Sequence, residues 1–152
     1  MDVIDRNILN IVQNNARKSS AEIADAVGVS VSTANERVRK LTASGHVKAW
    51  QAVLDPDKVG ASLCAFLLLD MDYEGEVAAC EALTALDEVQ ELHHISGAHS
   101  YMMKVRVADT KALQQLIGQK IKPLAGVLRT HSMLVLATEK ETPRMQIADH
   151  DQ

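Results

Sequence analysis

The chain has 152 residues, of which 47% are apolar, 24% are charged and 3% are aromatic, and its formal net charge is −4. It contains no run of about 18 uncharged apolar residues and no basic start followed by an apolar segment, so we expect a cytoplasmic protein with no membrane partner. The few aromatic residues argue against the stacking platforms that bind single-stranded nucleic acids.

The charge is unevenly divided. Residues 1–48 contain seven Lys or Arg and five Asp or Glu, a net charge of +2. The remaining nine basic and fifteen acidic residues give −6. A basic end on an acidic body favours two domains, and phosphate attraction can orient such a protein on DNA.

The N-terminal residues predict three helices. An apolar stripe that includes Ile4 and Ile8 predicts the first helix over residues 2–15. Ser19 and Glu22 form a capping-box pattern that starts a second helix, and Gly28 suits the turn after it. The third helix follows this turn and ends near Gly45, the expected C-cap.

The third predicted helix carries a polar face. Ser30 or Ser32 can cap it, while Ala34, Val38 and Leu41 face inward. A short helix, a turn and a polar second helix predict a helix-turn-helix, with double-stranded DNA as the partner. The candidate DNA-binding residues are hydroxyls and an amide near the helix start and cations further along: Ser30, Ser32, Thr33, Asn35, Arg37, Arg39 and Lys40.

Two alternatives remain open for this helix. The segment could be an ordinary helical hairpin with a solvated charged face, and the short polar side chains could serve as caps. Among the cations, phosphate contacts are favoured over base contacts.

The remaining elements predict a second domain. Residues 46–54 alternate loosely and predict a connecting strand, which Pro56 and Gly60 end. We then expect strand 62–72, helix 75–86, strands 89–96 and 100–107, helix 110–122 and strand 127–139. This order predicts a ferredoxin-like βαββαβ domain, and the fold class is α+β. The predicted division is a helix-turn-helix domain over 1–46, a connecting strand and linker over 47–60, the ferredoxin-like domain over 61–140 and a polar, frayed tail over 141–152.

The first strand of the second domain is apolar on both faces. Leu67 and Leu69 point to one side, whereas Cys64, Phe66 and Leu68 point to the other. Two helices can cover only one face of the sheet, so we expect a second copy of the chain, a homodimer, to cover the other.

The sequence gives little support for a disulfide, a metal site or a catalytic site. Cys64 and Cys80 lack CxxC spacing and are interpreted as buried reduced thiols. His93, His94, His99 and His131 match no short ligand motif, so no metal and no cofactor are expected. No acid is placed by sequence to orient a Ser100–histidine pair, so we expect no catalytic residue and no enzyme.

Several spaced motifs resemble the leucine-responsive regulatory protein and asparagine-synthetase regulator (Lrp/AsnC, or feast/famine) family of transcription regulators. They are Asp5-Arg6-Asn7-Ile8-Leu9, Ala16-Arg17, Glu22-Ile23-Ala24, Val27-Gly28-Val29-Ser30, Glu36-Arg37-Val38-Arg39-Lys40-Leu41, Gly45-His46-Val47 and Leu54-Asp55-Pro56. The resemblance implies a winged helix-turn-helix domain, a connecting strand that pairs in the dimer, and a regulatory domain that assembles into dimers, tetramers or octamers. It also implies a small effector, usually an amino acid, between the regulatory domains of neighbouring dimers.

The turn between the second and third regulatory strands departs from this family. The family usually has Gly-Asp-Tyr-Asp there, whereas this chain lacks both acids. A changed ligand, weaker binding and no ligand all remain open, and so does an architectural DNA-binding protein without an effector. If the first domain binds protein instead of DNA, the chain would be an amino-acid-binding or metal-binding module. The candidate ligand-binding residues lie in this turn and on the last strand: Gly97, Ala98, His99, Ser100, Tyr101, Thr130 and Ser132.

Overall fold

The computed structural model describes residues 1–148 and divides into two compact units. The N-terminal unit comprises Met1–Val53 together with the tail from residue 140 to 148, and the C-terminal unit comprises Leu54–Glu139. Within residues 1–148, no helix has both the length and the apolar character needed to cross a membrane.

The N-terminal unit contains the three predicted helices, α1 (Val3–Asn14), α2 (Ser20–Val27) and α3 (Val31–Ala43). Each begins at a capping side chain, because Asp2, Ser19 and Ser30 accept hydrogen bonds from the backbone N–H three residues later. Gly28 ends α2 at φ 71°, a left-handed conformation that favours glycine. Six buried side chains form the core of this unit: Ile8, Val12, Ile23, Ala24, Ala34 and Leu41.

The predicted strand over residues 46–54 is wrong for the single chain. These residues form no regular secondary structure, and Trp50, Val53 and Leu54 are exposed. A strand needs a hydrogen-bonded neighbour, and no segment of residues 1–148 pairs with this one.

The tail has no regular secondary structure as far as residue 148, and most of its residues are exposed. The tail belongs to the N-terminal unit, and the Gln13 side chain forms two hydrogen bonds with the Met145 backbone. Sequence patterns missed this contact because the tail is polar and the two residues lie 132 positions apart. The last four positions of the predicted tail, 149–152, lie outside the described residues.

The C-terminal unit confirms the predicted βαββαβ order. Its elements are β1 (Leu63–Met71), α4 (Glu76–Thr84), β2 (Val89–His94), β3 (Tyr101–Val107), α5 (Thr110–Gln115) with a π-helix over Leu116–Ile121, and β4 (Val127–Leu134). The antiparallel sheet has the order β2-β3-β1-β4. The last strand ends at Leu134, which pairs with Ala65 of β1, instead of at residue 139, and the Val135 N–H still donates to the Cys64 carbonyl at 3.0 Å.

The predicted helix over residues 110–122 changes its winding part-way. Its α-helical part stops at Gln115, and a π-helix carries the chain to Ile121. The wider winding places Leu116 and Ile121, five positions apart, in the core together. The α-helical period of the sequence could not show this change in winding.

One face of β1 is fully packed. Leu67 and Leu69 are buried in a core of thirteen residues, with Met103 of β3 beside Leu67. On the opposite face, Phe66 and Leu68 are half-buried. Both faces of β1 are therefore apolar, and the helices of this unit cover only one of them.

The two cysteines form no disulfide. Cys64 is buried as predicted, whereas Cys80, which lies on α4 beside Tyr101, is half-buried.

Candidate nucleic-acid interface and effector turn

Three hydroxyls cluster at the start of α3. The Ser30 Oγ accepts a hydrogen bond from the Thr33 N–H at 3.1 Å and lies 2.8 Å from the Thr33 Oγ1 and 3.0 Å from the Ser32 Oγ. Ser30 and Ser32 are exposed, and Thr33 is half-buried. An exposed helix start with rotatable hydroxyls can bind a phosphate or an acceptor on a base.

Asn35 connects the two helices of the helix-turn-helix. Its Oδ1 accepts a hydrogen bond from the Ser20 hydroxyl of α2, which fixes the direction of the amide. Asn35 is exposed on α3, and its amide nitrogen can donate to a purine N7 in the major groove. The contact thus holds a candidate base-reading side chain in one orientation.

Arg37 turns towards α1. Its guanidinium donates to the carboxylates of Asp2 and Asp5, the latter at 3.0 Å. These two hydrogen bonds raise the pKa of Arg37, while the Asp5 N–H and then Arg37 lower the pKa of Asp2. Arg37 therefore joins α1 to α3, a role that the sequence did not separate from a phosphate contact.

Arg39 and Lys40 are exposed cations on α3. Lys40 lies 2.8 Å from Glu36 one turn earlier, and this hydrogen bond lowers the pKa of Glu36. An exposed pair of this kind contributes little stability, so Lys40 can exchange Glu36 for a phosphate.

The turn between β2 and β3, residues 95–100, which contains most of the candidate ligand-binding residues, is bonded to β1. The Ser100 N–H donates to the Leu69 carbonyl at 3.0 Å, and its hydroxyl accepts from the Met71 N–H at 3.4 Å. Gly97 has φ 123°, which requires glycine. The Ser100 hydroxyl is thus already partly engaged by the protein.

A charged cluster lies beside the turn. The His99 Nδ1 is 2.9 Å from an Asp70 carboxylate oxygen, and the Arg129 Nε is 3.9 Å from the other oxygen. The rings of His99 and His131 stack with centroids 6.3 Å apart. Sequence reasoning missed Asp70, although a single charge in the apolar strand Leu63–Met71 is a signal that could have found it.

Tyr101 lies on the other face of the sheet. Tyr101 of β3 and Thr130 of β4 both pair with Leu69, one from each neighbouring strand of β1. The helices cover this face of the sheet. The Tyr101 hydroxyl donates to Glu76 at 2.6 Å, which, together with Cys80, raises the pKa of Tyr101. Its ring stacks on His94 at 4.8 Å.

The predicted ligand residues therefore divide between two faces of the sheet. His99 bonds with Asp70 on one face, whereas Tyr101, Thr130 and Ser132 share register positions with the buried residues of β1 on the other. Among residues 1–148, no three His, Cys, Asp or Glu side chains are grouped as metal ligands would be.

Comparison with known proteins identifies the family. The family model for the Lrp/AsnC ligand binding domain matches residues 64–145, and a winged helix-turn-helix DNA-binding model matches residues 1–48. The chain is 36% identical to the leucine-responsive regulatory protein of Escherichia coli K12 over 97% of this chain and 92% of that protein. The chain belongs to the Lrp/AsnC family. It is a DNA-binding transcription regulator with a ligand-binding domain.

Solved structures of Lrp/AsnC proteins share the fold. The leucine response regulatory protein LrpA of Mycobacterium tuberculosis is 34% identical, with a TM-score of 0.84 and coverage of 97% of this chain and 100% of that one. The regulator NMB0573 of Neisseria meningitidis, solved as an L-Met complex, is 24% identical, with a TM-score of 0.92 and coverage of 96% of both chains. At that identity, the second match supports the fold alone.

Proposed function

We propose that this Lrp/AsnC regulator binds operator DNA through α3, with hydroxyls and Asn35 near base edges and exposed cations on phosphates. The observation that carries this proposal is the exposed side of α3, where Ser32, Asn35 and Arg39 are accessible while Ser20 holds Asn35 in place. A regulator working on chromosomal DNA would act in the cytoplasm, without catalysis.

Arg37 differs from the other two cations of α3 because it contacts α1 and they do not. It is engaged by Asp2 and Asp5, whereas Arg39 and Lys40 are accessible on the same helix. We therefore assign the phosphate contacts to Arg39 and Lys40, and we assign to Arg37 the positioning of α3 against α1.

The salt dependence of operator binding tests this assignment. Arg39→Ala and Lys40→Ala should each lower the slope of log K against log salt by about 0.9, because one phosphate contact is lost. Arg37→Ala is the matched variant, and it should lower the melting temperature of the N-terminal unit with an unchanged slope. A normal slope in both contact variants would contradict the proposed interface.

The uncovered sheet face supports a homodimer. Phe66 and Leu68 are half-buried there, and the neighbouring Met133 is 41% exposed, so a second copy would remove apolar surface from water. The resemblance to the family extends this proposal to tetramers or octamers. Sedimentation at micromolar concentration should show at least a dimer, and Leu68→Glu should shift it towards monomer. A stable parent monomer would contradict the dimer.

An amino acid is the proposed effector, since the E. coli relative is named as leucine-responsive. The turn offers no carboxylate of its own, and Asp70 is already bonded to His99. A ligand ammonium held by neutral acceptors gains roughly 0.5–1.5 kcal/mol per bond, about half of what a charged acceptor gives. Binding should therefore be weak.

A thermal-shift screen of the twenty amino acids tests the effector, because a ligand of the folded state raises the melting temperature. Ser100→Asp should strengthen the binding of at least one of them, measured by calorimetry beside the parent. Tight binding by the parent that Ser100→Asp leaves unchanged or weakens would place the ammonium elsewhere.

The neutral turn also favours a second candidate, an architectural DNA-binding protein of the same fold without an effector. Competition with random DNA separates the two, because a regulator prefers its operator by a large factor and an architectural protein does not.

A further inference from the structure

The tail forms a defined contact with α1. The Gln13 Nε2 donates to the Met145 carbonyl at 3.0 Å, and the Met145 N–H donates to the Gln13 Oε1 at 3.0 Å. Gln13 Nε2 also lies 3.0 Å from the Asn10 Oδ1 of its own helix, which orients the amide. One glutamine thus binds both polar groups of a single tail residue.

This contact depends on the tail backbone. The Met145 residue is 75% exposed, so its side chain contributes little packing, whereas Ile147 is half-buried. The Gln13 amide supplies one donor and one acceptor, and these satisfy the Met145 carbonyl and N–H as a neighbouring strand would.

The chain therefore connects its two units twice. It leaves the N-terminal unit after Val53, and it returns to that unit at Lys140. Only residues 135–139 separate the end of β4 from the tail. A second connection reduces the freedom of the N-terminal unit, because a short linker raises the effective concentration of the joined parts.

We propose that residues 140–148 act as a strap that binds α1 and links the end of β4 to the DNA-binding unit. β4 carries Thr130 and Ser132, the candidate effector residues, so the strap connects the ligand-binding domain to the helix that supports α3. By limiting the motion of this unit, the strap lowers the entropy lost on DNA binding and strengthens operator affinity. Only this DNA effect rests on the proposed function.

Hydrogen exchange of the full chain tests the strap directly. Gln13→Ala removes both bonds, and Met145→Pro removes the donor of one of them. Exchange in the tail should become about tenfold faster in Gln13→Ala, which loses two bonds, and a few-fold faster in Met145→Pro, which loses one, because each lost bond shifts the docking equilibrium several-fold. Met145→Ala keeps the backbone groups and should exchange as the parent does. Asn14→Ala loses only a bond within α1, to the Asn10 carbonyl, and is the matched helix control.

Operator affinity is measured on the same variants, and Gln13→Ala should bind about three- to tenfold more weakly than Asn14→Ala. Equal tail exchange in the parent and Gln13→Ala would overturn the strap. Faster exchange with unchanged operator affinity would overturn its part in DNA binding. If the parent itself binds no DNA, the proposed function fails, while the exchange measurement still decides whether the strap exists.

Discussion

The two units of this regulator are held together in different ways. The N-terminal unit has a core of six residues, and capping side chains start all three of its helices. The C-terminal unit has a core of thirteen, and its helix α4 begins at Gly75 without a side-chain cap. The smaller unit depends more on local polar contacts, whereas the larger depends on packing between distant strands.

This difference explains what each unit can do. A small core contributes little stability. The hydrogen bonds of Arg37 with α1 and of Asn35 with α2 therefore do much to hold α3 in position. The larger sheet keeps a stable core on one side while its other face remains uncovered. The DNA-binding unit is thus the part that local changes should disturb most easily.

Truncating a core side chain should show the difference between the two units most strongly. Ile8 and Leu67 are both fully buried, so Ile8→Ala and Leu67→Ala should each cost roughly 2–5 kcal/mol. In the six-residue core, this loss is a larger share of the total, so Ile8→Ala should unfold the N-terminal unit near room temperature. Calorimetry should show a large fall in the temperature of the N-terminal transition in Ile8→Ala and a smaller fall in that of the C-terminal transition in Leu67→Ala. A single shared transition in both variants would show that the units do not unfold separately.

Backbone packing in the C-terminal unit provides the next test. A Cβ added at Gly75 would lie 2.5 Å from the Gly126 Cα, closer than atoms can approach. Gly75→Ala should therefore cost roughly 1–3 kcal/mol, as overpacking does. Gly118 is the matched control, because a Cβ there meets nothing within 4 Å. Urea denaturation in which both variants equal the parent would contradict this close packing.

The fold was predictable where the signal is local. The capping box at Ser19 and the turn at Gly28 marked the N-terminal helices, and strand and helix periods indicated the βαββαβ order. The winding change after Gln115 and the early end of β4 depend on partners distant in sequence, which patterns along the chain do not show. The strand expected over residues 46–54 lacks any such partner within the described chain.

The sequence predicted which residues the candidate sites contain better than it predicted the contacts between their side chains. Periodicity placed Arg37 and Arg39 on the same polar helix, but only the fold shows that Asp2 and Asp5 engage Arg37. At the turn, Asp70 comes from a different strand, 29 positions before His99. Contacts of this length depend on the sheet register, so sequence could not assign them.

Capping should have a smaller effect, confined to the unit that carries the cap. Ser19→Ala removes the acceptor for the Glu22 N–H and should cost about 1 kcal/mol. Asp109→Ala removes the equivalent cap of α5, where the Asp109 carboxylate accepts from the Ala112 N–H at 2.7 Å. Each should shift only the calorimetric transition of its own unit. A shift of the same size in both transitions would contradict separate stabilisation.

Acid should weaken the N-terminal unit through Glu22, the smallest of these effects. Lys18 and then Ser19 lower the pKa of Glu22 from 4.5 to about 2 by hydrogen bonding to its carboxylate. Because the folded state holds the proton less tightly than the unfolded state, this contribution is complete above about pH 4.5 and is lost as the pH falls towards 2. Glu22→Gln keeps a polar side chain but cannot titrate. The melting temperature of the parent should therefore fall more steeply between pH 5 and 2.5 than that of Glu22→Gln, and parallel curves would show that the carboxylate adds no pH-dependent stability.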